Sequence, residues 1–274
     1  MAIIDPMQRW TLRSELLRLV FVSTRLRSVG APLSYIAVGP PGSGKTEMIM
    51  RGGTLRWVTT FSNLSYMGIV NALPVLQSGV KSVILIPDLA TVLGRRADVG
   101  RQAVATLAML AAEGIGKIAV GRTEKDYRGV RASVISAVTE QDLTNQWDVL
   151  SQNAFLSRAF LPTFDFTMDE IFHMSRLKTL GKLRHLRPFR YPAGIRARTI
   201  RFPERYEHYV EDRWSDLRIK NADRTFAFRT METFKTVLCC AAFVRGGGTV
   251  IKKDVKVMDR LWPVIEDQYR RIGG

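Results

Sequence analysis

Cysteine is nearly missing from this 274-residue chain: the only two, Cys239 and Cys240, are neighbours in an apolar stretch. Adjacent residues on a helix cannot easily bridge, and no third thiol exists to pair with either. A disulfide framework is therefore excluded. Both side chains read as small core residues, and the setting expected is reducing and cytoplasmic. Long apolar runs are also missing. None approaches the ~20 residues that a membrane-spanning helix needs, so no membrane partner is expected. The opening Met1-Ala2-Ile3-Ile4-Asp5-Pro6 lacks the basic and then apolar pattern of a secretory leader. There is no internal repeat, no low-complexity tract, and no Asn-Lys-x-Asp of the kind with which GTPases read guanine.

Acidic residues are few. Asp and Glu number 25 against 41 Lys and Arg, a net charge of +16. Solubility needs a net charge of only about 2–8, so the excess points to a polyanionic partner, nucleic acid, with DNA the first expectation. Apolar residues make up 46% of the chain, enough for a sizeable core and too many for wholesale disorder.

What is present is one stretch that organises the rest, Gly39-Pro40-Pro41-Gly42-Ser43-Gly44-Lys45-Thr46. It fits the phosphate-binding pattern G-x-x-x-x-G-K-[ST] without a gap. Gly39, Gly42 and Gly44 let the backbone curl, and with Pro40 and Ser43 between them the loop's N–H groups aim inward at phosphate oxygens. Lys45 supplies an ammonium for the β- and γ-phosphates, and the Thr46 hydroxyl a ligand for Mg²⁺. Ser34–Val38 ahead of it reads as a buried strand and the residues after it as a helix, the order this chemistry requires. ATP and Mg²⁺ are the expected cofactors.

The pattern predicts an amphipathic helix over 8–29, strands over 55–61, 81–88 and 132–139, and helices over 63–77, 95–114 and 141–155. The last core strand is expected over 163–167. Lys81 to Asp88 is an apolar run ending in a carboxylate, the pattern of a Walker B strand, so Asp88 is a second candidate Mg²⁺ ligand. Thr139 ends the next strand; its hydroxyl either reaches the γ-phosphate or makes a local backbone bond. Residues 168–274 read as a basic, mostly helical second unit after an α/β core of 1–167. Between Arg176 and Arg201 there are nine Lys or Arg and no acid, interleaved with Phe189 and Tyr191. Arg184, Arg187, Arg190, Arg196 and Arg198 are the candidate nucleic-acid contacts.

In this order the residues resemble the AAA+ ATPases, most nearly the minichromosome maintenance helicases and MoxR-type ATPases, over roughly 33–265. The resemblance implies a parallel-sheet P-loop core with a helical C-terminal lid, and a homo-oligomer, a hexamer-like ring or a filament, with ATP between protomers. Thr139 falls at the sensor-1 position, Leu156-Ser157-Arg158 looks like an arginine-finger tract ending in Arg158, and Arg229 looks like the sensor-2 start of the lid. The stretch 112–131 is where DNA translocases of this branch carry a hairpin. One departure stands out. The family's Walker B ends Asp-Glu, whereas here the pair is Pro87-Asp88 or Asp88-Leu89, so a general base for hydrolysis is not evident. The expected activity is an ATPase that acts on nucleic acid as helicase, translocase or loader. The alternatives are a MoxR-like protein remodeller, a hydrolysis-poor adaptor that uses ATP as a switch, and, less suited to the lid-like C-terminus, a small-molecule kinase.

Overall fold

A computed structural model of the chain describes residues 6–27, 30–94, 96–120, 123–152, 155–156, 159–180, 188–191, 195–220 and 227–272. The first half runs α1 (Pro6–Ser23), β1 (Ser34–Val38), α2 (Lys45–Met50), β2 (Val58–Thr60), α3 (Tyr66–Gln77), β3 (Val83–Ile86), α4 (Ala90–Leu93) and α5 (Ala97–Ala111). Then come β4 (Ile115–Val120), β5 (Thr123–Val130), β6 (Ser133–Val138), α6 (Glu140–Asn145), α7 (Trp147–Gln152) and β7 (Ala159–Phe160). Among the described residues the remainder holds four α-helices, α8 (Met168–Thr179), α9 (Glu207–Lys220), α10 (Ala227–Val244) and α11 (Lys252–Ile272), with irregular chain at 188–191 and 195–203.

Five strands form one parallel sheet in the order β2-β3-β6-β1-β7. Every residue of β1, β3 and β6 is buried. Parallel strands covered on both faces lose the alternation of polar and apolar side chains, which is why β1 and β3 appear in the sequence as apolar runs and β6 as one interrupted by Ser136, whose buried hydroxyl donates to the Ile86 carbonyl. The two faces still separate with period two. Tyr35, Leu85 and Ile135 join a layer with Leu16 of α1, Met48 of α2, Phe234 of α10 and Trp262 of α11. Ile36, Ile84 and Val134 join the opposite layer with Ile69 of α3, Leu107 of α5 and Leu150 of α7. The helical C-terminal segment thus shares its core with α1 and one face of the sheet.

The carboxyl-terminal helices are fixed by buried polar contacts. Gln268, buried in α11, accepts from the Leu161 N–H at 2.8 Å and donates to the Ala159 carbonyl at 3.0 Å, so it binds the backbone of β7 on both sides. Asp254, 1% exposed, takes two hydrogen bonds from Arg245, at 2.9 and 2.8 Å, and one from the Ile251 N–H.

The expected elements are shifted in three places. α1 stops at Ser23, whose hydroxyl accepts from the Leu33 N–H and so ties the chain directly to the start of β1. The predicted 141–155 helix is two short helices. The edge strand is β7, two residues long, and Thr163 makes only an isolated bridge to Val38, because Pro162 has no N–H to continue a ladder. The expected hairpin is present as antiparallel β4 and β5, and its turn at 121–122 lies outside the described residues. Among the described residues no helix is long and apolar enough to cross a membrane.

Candidate functional site

The phosphate loop leaves the carboxyl end of β1 and turns into α2, at the edge of the sheet where open α/β folds bind ligands. Its first turn is pinned to the sheet: the Gly39 N–H donates to the Val138 carbonyl of β6 at 3.2 Å. A Cβ on Gly39 would lie 2.8 Å from that of Phe164, so only glycine fits this approach. Gly44 precedes α2 with φ +81, a left-handed conformation, and its Cα faces the Trp10 ring. Pro40, Pro41 and Gly42 form the exposed crest.

Lys45 is 8% exposed, and its Nζ folds back to donate to the Pro40 carbonyl at 2.8 Å. Burial pulls its pKa below the usual lysine value, opposed by the fields of Asp88, Glu47, Asp142 and Glu140. Ser43 is 2% exposed and its hydroxyl has no hydrogen-bond partner among the described residues. A buried hydroxyl without a protein partner in a glycine-rich loop is able to donate to a bound anion. The residues present therefore fit a polyphosphate: a curled backbone, a buried lysine and an orphaned hydroxyl. Thr46 is exposed at the start of α2 and Asp88 at the tip of the β3 strand, suitably charged for a divalent cation.

Strand order brings these groups together. β6 lies between β1 and β3, so its tip stands between the phosphate loop and Asp88. Two backbone bonds hold that junction, the one from Gly39 and one from the Leu89 N–H to the Ala137 carbonyl at 2.8 Å. Asp88 caps the following turn through the Ala90 N–H at 3.0 Å. Leu89 is fully buried in the apolar layer, so the position after Asp88 holds a core side chain and no carboxylate.

Thr139 sits at the predicted tip, but its hydroxyl is engaged locally. It accepts from the Asp142 N–H at 3.0 Å and donates to the Asp142 carboxylate at 2.5 Å, capping α6. The local bond, one of the two readings of Thr139, is the one found. It also places Glu140 and Asp142 near Lys45, a pair that sequence reasoning missed although Thr-x-x-Asp is a helix-start signature.

Arg229 needs correction. It lies 3.7 Å from the Glu113 carboxylate, on a cavity of about 340 Å³ lined also by Pro32, Ala112 and Arg131. Those residues mark the amino-terminal ends of β1 and β6. The phosphate loop is at the other end of β1, a five-residue strand that rises roughly 16 Å, so Arg229 cannot act as a sensor of that nucleotide within its own chain. Arg198 is committed to the fold: it donates to the Phe243 carbonyl at 2.7 Å and stacks on the Phe243 ring. Arg190 and Arg196 are exposed. Arg158, Arg184 and Arg187 lie outside the described residues.

No family model matches the sequence, and no curated protein matches it. What the chain does must be argued from its own residues.

Proposed function

We propose that this chain is an ATP-binding P-loop ATPase of the AAA+ kind that assembles into a homo-oligomer and acts on nucleic acid. The observation that carries the reading is the convergence at the carboxyl edge of the sheet. There a complete phosphate loop, a buried Lys45 and an exposed Asp88 meet across the tip of β6. Lys45 and the loop N–H groups bind the β- and γ-phosphates; Thr46 and Asp88 hold Mg²⁺. Held by Thr46 and Asp88, a magnesium ion would supply positive charge against the phosphates. The net charge of +16 supports a nucleic-acid partner. Arg158, in the finger-like tract, is the residue proposed to reach a neighbouring protomer's ATP, and the helical C-terminus takes the place of the lid.

A second reading is favoured by Leu89. With a buried leucine after Asp88, nucleotide serves as a switch that locks an assembly more than as a fuel. The experiment that separates the two is light scattering with and without ATP and Mg²⁺, repeated with short duplex DNA, while phosphate release is followed in the same samples. Assembly with DNA-stimulated release supports the motor or loader. Assembly with release at background supports the nucleotide-locked adaptor. No change in size on adding ATP contradicts both.

A further inference from the structure

Stretches far apart in sequence meet beside the β2 edge of the sheet: 18–27, 51–60, 78–82 and, among the described residues of the basic run, 188–191 and 195–201. The Phe189 N–H donates to the Arg51 carbonyl at 3.0 Å, and the Arg198 N–H to the Arg25 carbonyl at 3.0 Å. The Tyr191 hydroxyl donates to the Arg18 carbonyl at 2.8 Å, and Ser82 and Thr24 are joined through their hydroxyls at 2.9 Å. These stretches contain no aspartate or glutamate.

What they do contain is arginine, held in place over aromatic rings. Arg18 stands over Tyr191, Arg25 over Trp57 and Arg51 over Phe189, with the guanidinium 5.5, 5.0 and 4.2 Å from the ring centres. Arg56 donates to the Ile195 carbonyl at 3.3 Å. The like charges oppose one another. Burial pushes Arg51 down to about 10, and Arg18 adds to the push. Burial lowers Arg25 too, with Arg56 acting the same way.

Elsewhere several arginines that pack on the fold are paired with acids: Arg9 with Glu170, Arg213 with Asp259, Arg245 with Asp254 and Arg260 with Glu15, whereas others among the described residues, such as Arg101 and Arg128, stand singly at the surface. Here Arg18, Arg25, Arg56, Arg190 and Arg196 make no salt bridge among the described residues. Positive charge gathered without compensation costs stability and is relieved by a polyanion.

We infer that this composite face binds nucleic acid, the phosphate backbone lying along Arg18, Arg25, Arg51, Arg56, Arg190 and Arg196. The inference rests on the nucleic-acid reading above and gives it a location, of which the sequence showed only the 188–201 part. The partner is duplex and the contact is to its backbone. Of the three rings beneath the guanidiniums, Trp57 and Phe189 are 4% and 7% exposed, and the partly buried Tyr191 is tied by its hydroxyl to the Arg18 carbonyl and covered by the Arg18 guanidinium, so none is an open platform on which an unpaired base can stack. The face is separate from the nucleotide site. Arg51 ends α2, one six-residue helix away from Lys45, a rise of roughly 9 Å.

The test is binding of a 20-base-pair duplex, followed by fluorescence anisotropy across a salt series. The protein with Arg56→Gln, Arg190→Gln and Arg196→Gln is compared with a control carrying Arg96→Gln, Arg101→Gln and Lys253→Gln. All six side chains are exposed, and both variants lose the same charge. Each backbone contact contributes about 0.9 to the slope of log affinity against log salt. The first variant should lose roughly 2.7 of slope and more than about tenfold in affinity at ~0.1 M salt, with the control close to wild type. Equal losses in both variants overturn the location and leave the nucleic-acid reading standing. Absence of salt-sensitive duplex binding by the wild-type protein overturns both. Binding to phosphatidylserine vesicles with none to duplex overturns both in favour of a membrane surface.

Discussion

The Trp10 ring lies against Gly44: a Cβ at position 44 would come within 2.8 Å of Trp10 Cη2. Trp10 is itself fixed edge-on to Phe164, with ring centres 5.8 Å apart, and Phe164 closes the space beside Gly39. The amino-terminal helix and the residues after β7 thus clamp the phosphate loop from two sides. Gly44→Ala meets both a left-handed φ and this ring. It should cost about 2 kcal/mol or more, a fall in Tm of at least roughly 4 °C, and should weaken ATP binding. Thermal melting with and without ATP checks this, and an unshifted melt would mean that the clamp is loose.

Lys45 makes the nucleotide site sensitive to alkaline pH. Burial lowers its pKa, whereas bound phosphates favour its charged form, so above that lowered pKa binding must take up a proton. Affinity for ATP is therefore full below the lowered pKa and declines as the pH rises through it, by up to about tenfold per unit. Titrations at several pH values between neutrality and the ordinary lysine range check the sign. An affinity independent of pH would place the ammonium away from the phosphates.

Leu89→Glu writes the missing Walker B acid back into the sequence, but the backbone does not present it to the site. Leu89 is fully buried and its N–H is bonded to Ala137. The substitution should cost about 3–5 kcal/mol, the range for an uncompensated buried charge, without speeding phosphate release. A stable and faster variant would show that position 89 can turn outward.

Asp254 holds the junction between α10 and α11 through Arg245 and the Ile251 N–H. Asp254→Ala removes three hydrogen bonds, two of them to a guanidinium that is partly exposed and regains water. The expected loss is about 2–3 kcal/mol, seen as a fall in Tm of roughly 5–10 °C. An unchanged melt would mean that the helical C-terminus does not depend on this contact.

The legible features of the fold were local or buried on both sides. The phosphate loop is contiguous, and its strand and helix flank it directly, so the residues alone show its context. β1, β3 and β6 are read from apolar runs because their environment is apolar on both faces. β7 was misplaced because a two-residue edge strand leaves no periodic trace. Arg229 was misplaced for another reason: the pattern shows that α10 exists, but where its first turn docks depends on contacts with 31–33 and 111–113, far away in the chain. Thr139 carried two readings, and the choice between them lay in a capping bond to a residue three positions on. The basic face was half visible. Residues 188–201 are conspicuous in sequence, but Arg18, Arg25, Arg51 and Arg56 join them only through folding.

The most direct measurement is a calorimetric titration of ATP with Mg²⁺ into the wild-type protein and into Lys45→Ala. The account predicts saturable binding at one site per chain in the wild type and its loss in the variant, because Lys45 supplies the ammonium that faces the phosphates. No binding by the wild type, or unchanged affinity in Lys45→Ala, would contradict the account at its centre.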